Sequence, residues 1–98
     1  MNLLQKLQAR TEAARAATPE EVQEVFDAIV CQCLASADMG KDSVYVESSD
    51  IFSNLKKYEF RESSFDDAFT RAMARIIDSD VVVKTTGEEG LFDLVWAD

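Results

Sequence analysis

Side chains able to do chemistry are few in these 98 residues, and their spacing works against most uses. There is no histidine, so the most common general base near neutral pH is missing, and with it any Ser-His-Asp or Cys-His arrangement. The two cysteines stand at Cys31 and Cys33. Residues two apart on a helix point about 200° away from each other, so a direct bridge would distort the helix and both are expected to be reduced thiols. Cys-x-Cys without further cysteine or histidine falls short of a tetrahedral zinc shell. Gly40, Gly87 and Gly90 do not form a phosphate-cradling loop with a following Lys. Paired acids occur at Asp66-Asp67 and Glu88-Glu89. Adjacent helix residues diverge and a turn offers no dry pocket to raise a carboxyl pKa, so these pairs read as helix-end and surface charges. No catalytic residue, metal ligand or cofactor is expected, and the chemistry left to the chain is binding.

Binding partners are bounded by charge. Nineteen acids against ten bases give −9 at pH 7, which repels phosphate backbones and disfavours nucleic acid. Net charge is −3 over residues 1–40, −1 over 41–60 and −5 over 61–98, so the acidity reads as spread, with no basic arm. Lys56, Lys57 and Arg61 surround Tyr58 and Phe60, the only local positive excess with aromatics. With Glu59 and Glu62 among them they read as a solvated turn whose rings tuck into the core; the alternative is an acidic or phosphate-bearing partner. No apolar run approaches the roughly 18 residues of a membrane span, and no signal-peptide pattern opens the chain, so a soluble, intracellular protein without membrane contact is expected.

The elements that must position these groups are legible from residue 18 onward. Thr18-Pro19-Glu20-Glu21 is a capping box with Pro at the first helical position. Val22, Val25, Phe26, Ile29, Val30, Cys33 and Ala37 then form one stripe of a central helix that Gly40 stops. Cys31 lies nearly opposite that stripe, beside Glu24, Asp27 and Asp38, with Ala28 and Ala35 on the flank. Free cysteine is usually buried, so the first helix is expected to cover this small-residue face; a reactive cysteine is the other reading. Residues 43–47 read as a strand, and Ser48-Ser49-Asp50 as the cap of a short helix carrying Ile51, Phe52 and Leu55. The next helix starts at Ser63 or Ser64, whose hydroxyl is expected to cap it, with Asp66 and Asp67 on its positive end. Phe65, Phe69, Ala72, Met73 and Ile76 are its buried stripe, and Arg71 and Arg75 are expected to pair with Asp67 and Asp78. Val81-Val82-Val83 and Leu91 to Trp96 form a hairpin around Gly87 and Gly90, with Phe92, Leu94 and Trp96 on one face and Asp93 on the other. Ahead of all this, Asn2 caps a first helix with Leu3, Leu4, Leu7 and several alanines, which has little apolar area to bury. It reads either as an arm packed or frayed on its own domain, or as a contact arm for another subunit.

The expectation is thus an α+β chain: a helical arm over residues 1–17 and a domain over 18–98. From Thr18 the order helix (19–39), strand (43–47), helix (49–57), helix (64–78) and hairpin (81–96) resembles the winged-helix variant of the helix-turn-helix fold. That resemblance implies residues 64–78 as the recognition helix. Asp66, Asp67 and Asp78 there, and Glu88 and Glu89 at the wing tip, have the wrong sign for phosphates, so it implies a winged-helix scaffold used for protein contacts. The ending from Val81-Val82-Val83 through Phe92-Asp93-Leu94-Val95-Trp96 is similar to that of small proteins of tailed phages, which implies a viral setting, in the host cytoplasm or the virion.

Two functions of different class follow. One is a non-enzymatic interaction protein, structural or accessory in a phage particle, that assembles with itself or another protein through Leu3, Leu4, Leu7 and the face around Cys31. The other is an acidic inhibitor that masks a nucleic-acid-binding or regulatory surface of a partner, offering Asp66, Asp67, Asp78, Glu88 and Glu89 in place of phosphates. DNA binding through Lys56, Lys57, Arg61, Arg71 and Arg75 ranks third.

Overall fold

The structure is a computed structural model that describes residues 2–97; Met1 and Asp98 lie outside it. It is an α+β chain in the order α1 (Leu3–Arg15), α2 (Pro19–Asp38), β1 (Ser43–Glu47), α3 (Ser48–Lys56), a 3-10 turn (Glu62–Ser64), α4 (Phe65–Asp78), β2 (Val82–Thr85) and β3 (Leu91–Val95). The three strands form one antiparallel sheet in the order β1-β3-β2, so the last strand is central. Its register pairs Val44 and Val83 with Leu94, and Val46 and Thr85 with Phe92, which sets these side chains on one face. Helices α2, α3 and α4 pack against that face.

α2 starts where the capping box places it: Thr18 Oγ1 accepts from Glu21 N–H at 3.1 Å and Glu21 Oε1 accepts from Thr18 N–H at 2.9 Å. Its stripe holds through Val25 and Ile29, both fully buried, but the last turn puts Ser36 inside and leaves Ala37 exposed. The cause is the hydroxyl of Ser36, which donates to the carbonyl oxygen of Ser43 at 2.8 Å and ties the end of α2 to the start of β1. Gly40, at φ +80°, turns the chain out of the helix.

α4 buries Phe65, Ala68, Phe69, Ala72, Met73 and Ile76. Phe65 is the hub of its aromatic packing, with ring centroids 5.0 Å from Phe52, 5.9 Å from Phe60 and 5.8 Å from Phe69. The expected serine caps are absent at both α3 and α4. α3 begins directly from β1 with Glu47 in the capping position; its carboxylate accepts from the Ser49 hydroxyl at 2.9 Å and caps no backbone N–H of the helix. The 3-10 turn runs straight into α4, so Ser64 has helical backbone angles and its hydroxyl points elsewhere. The first strand of the hairpin begins at Val82, one residue later than the valine run predicts.

α1 also keeps its predicted start. Asn2 Oδ1 accepts from Gln5 N–H at 2.8 Å, and Gln5 Oε1 accepts from Asn2 N–H at 3.2 Å. It buries no residue. The molecule measures 56 × 26 × 23 Å, and α1, at about 20 Å for 13 residues, is long enough to account for much of that asymmetry.

Candidate protein-interaction surface

Among the described residues, the hydrogen bonds that tie α1 to the rest of the fold all lie at its C-terminal end. Ser63 Oγ donates to the Ala14 carbonyl at 2.8 Å, Arg61 Nη2 to the Ala16 carbonyl at 2.9 Å, and the Ala17 N–H to Asp67 Oδ2 at 2.8 Å. These tethers come from the 3-10 turn and the start of α4, and they leave the first turns of α1 in solvent. Leu3, Leu4 and Leu7 are 71 %, 62 % and 54 % exposed. On the helical wheel they form one stripe, with Lys6 and Arg10 along one side and Arg15 along the other. α1 thus carries three bases and one acid, a local +2, and the rest of the chain is −11. A basic arm exists after all. The count over residues 1–40 hid it by averaging α1 with Glu20, Glu21, Glu24, Asp27 and Asp38.

Cys31 is exposed, contrary to the expectation that α1 covers it. α1 packs on the 3-10 turn and α4, because its tethers lie there and not on α2. Cys33 is half-buried, and burial raises its thiol pKa above the usual value.

The five carboxylates proposed as phosphate substitutes do not converge. Asp66 and Asp78 sit at opposite ends of α4, about 18 Å apart along its axis, and Glu88 and Glu89 are exposed in the β2–β3 turn. Asp67 is engaged within the fold: the Ala17 N–H, then Arg71 at 3.1 Å, lower its pKa. Asp66 lines an open groove of about 430 Å³ with Glu62, Phe52, Phe65 and the serines at the head of α3. Asp78 does not take Arg75. That guanidinium lies 4.0 Å over the Phe26 ring and donates to Gln23 Oε1 at 2.9 Å, a contact between α4 and α2 that no single-helix spacing reveals.

The shorter of the two ion pairs among the described residues is one that sequence reasoning missed. Glu21, read only as a capping residue, also takes Arg61 at 2.8 Å and the Ser64 hydroxyl at 2.7 Å. The Arg61 guanidinium is the largest cause that brings its carboxyl pKa down from 4.5 to about 2, with the Thr18 N–H and Ser64 adding to it against partial desolvation. Forty positions separate Glu21 from Arg61, and neither residue type signals the pairing. It also removes Arg61 from the basic cluster around Tyr58 and Phe60. Phe60 is buried as expected, but Tyr58 is 84 % exposed, since the chain reverses through Glu59 at φ +64°.

On the outer face of the sheet Asp93 stands between Tyr45 and Lys84 in register. Its Oδ1 is buried and takes no hydrogen bond among the described residues. Among the described residues no group of three or more His, Cys, Asp or Glu is placed to hold a metal ion, and no helix is long and apolar enough to cross a membrane. Comparison with protein-family models, with curated proteins and with solved structures finds no match to the chain.

Proposed function

We propose that this protein is a non-enzymatic interaction module that assembles through the leucine-bearing end of α1. One observation carries the reading: α1 buries none of its residues, and its three leucines stand together in solvent. A helix this short gains little from propensity alone, and three leucines on one stripe add apolar area that only an intermolecular contact would cover. The body behind it is read as a winged-helix-like scaffold. The order of elements supports this, as do the pairing of β1 with β3 and the place of α4 between α3 and the hairpin. The likeness of the chain's ending to small tailed-phage proteins supports a viral setting alone, and within that setting the assembly arm is what leads us to read the protein as a structural or accessory part of a phage particle.

The inhibitor reading has less behind it, because its carboxylates are dispersed and Asp67 is committed to Ala17 and Arg71. DNA binding loses Arg61 to Glu21 and Arg71 to Asp67.

Light scattering on a sizing column, with the intact chain over a wide concentration range, tests the assembly. The expected result is a mass that rises above that of one chain, and a Leu3→Gln/Leu4→Gln/Leu7→Gln variant that keeps its thermal midpoint and stays at one chain. Equal masses for the two proteins at every concentration would overturn the reading.

A further inference from the structure

The outer face of α2 is the chemical complement of α1. Glu20, Glu24, Asp27 and Asp38 are exposed on it, and α2 contains neither Lys nor Arg. None of the four takes part in an ion pair among the described residues. Asp27 accepts only from the neutral amide of Gln23, at 2.7 Å. Between these acids lie Cys31, Leu34 and Ala35, also exposed, so a strip of small and apolar side chains runs through a band of unpaired negative charge. α1 presents the reverse: a leucine stripe bordered by Lys6, Arg10 and Arg15.

We infer that α1 of one copy docks antiparallel along the outer face of α2 of a second copy. The inference rests on the reading of α1 as an assembly arm, and adds what receives it. Three observations select this partner and direction. The charges are opposite, +2 on α1 against −11 on the remainder of the chain. The lengths agree, since 13 residues of α1 span about 20 Å and Glu24 to Asp38 span about 21 Å. The apolar groups also fall in reverse order, with leucines in the first two turns of α1 and Leu34 and Ala35 near the end of α2. Antiparallel docking sets the leucines over Cys31, Leu34 and Ala35 and carries Arg10 and Arg15 toward Asp27 and Glu24, with the two helix dipoles opposed. Pairing of α1 with another α1 would instead set +2 against +2.

Charge exchange in the full-length chain tests the docking. Lys6→Glu/Arg10→Glu and Glu24→Lys/Asp27→Lys/Asp38→Lys change only exposed side chains, and each is expected to weaken self-association by roughly tenfold or more at low salt. Mixing the two variants restores association, because each reversed arm then meets a reversed face and each native arm a native face; this also controls for misfolding. Labelling of Cys31 by a soluble disulfide reagent slows as protein concentration rises, with labelling of Cys33 unchanged. If the leucine variant loses mass but the α2 reversal does not, the α2 face is wrong and the arm survives. A mixture that stays unassociated also overturns the docking, and an intact chain that is monomeric throughout overturns docking and arm together.

Discussion

Glu21 shows how much one side chain can do in a small chain. It closes the α2 cap, holds Arg61, and through Ser64 reaches the start of α4. Its folded pKa, about 2, lies below the ordinary 4.5. The stability this contributes is present above pH 4.5 and is lost as pH falls toward 2. Urea titrations at pH 7 and pH 3 should therefore show wild type more stable than Glu21→Gln at the higher pH, with the gap closing at the lower. At neutral pH Glu21→Ala, which strips Arg61 and Ser64 of their acceptor, should cost about 2 kcal/mol. Gly90 gives a second residue-scale test. At φ +76° it favours glycine, and a Cβ there would come 2.5 Å from Ser48 Oγ. Gly87, at φ +86°, has open space around it. Both alanine variants should lose about 1–2 kcal/mol to backbone strain, and Gly90→Ala more than Gly87→Ala by thermal melting. The capping role of Glu21 was legible because a cap is written within four residues. Its bond to Arg61 was not, because a tertiary pair leaves no local pattern.

Among elements, α2, α4 and the hairpin were the most legible, each marked by a local rule: a capping box, a 3.6-residue stripe, and β-branched residues around a Gly-containing turn. The misses lie where tertiary contacts redirect a side chain. Ser63 and Ser64 carry the right residue type for a cap, yet their hydroxyls bond to Ala14 and Glu21 across the fold. Arg75 has Asp78 one turn away, yet stacks on Phe26. Phe65 joins α4 to α3 and to Phe60, so Phe65→Ala should cost about 3–5 kcal/mol in denaturant titration. Thr18→Ala should cost about 1 kcal/mol, since Thr18 caps only its own helix.

For the whole molecule, the deciding quantity is where charge sits relative to the fold. Net charge alone described an acidic chain; helix boundaries show a basic, leucine-bearing α1 on a body of opposite sign. Self-association should therefore weaken as salt rises from about 0.05 to 0.5 M, with the leucine contact keeping part of it, as sedimentation at matched concentrations would show. The candidate site was half legible. Leu3, Leu4 and Leu7 stood out by spacing, whereas the exposure of Cys31 depended on where α1 is tethered, which rests on Ser63, Arg61 and Asp67.

The bare stem of α1 has a further consequence, for how the chain responds to crowding with its own kind. Thirteen residues with no buried side chain make a helix near the length at which isolated helices melt in water. Among the helices its amides should exchange with deuterium fastest, ahead of those in α4, which shares the core. Any contact that covers the leucines then stabilises the wound form by mass action. Far-ultraviolet ellipticity per residue should deepen as the protein is concentrated, so that part of the fold is completed only in company.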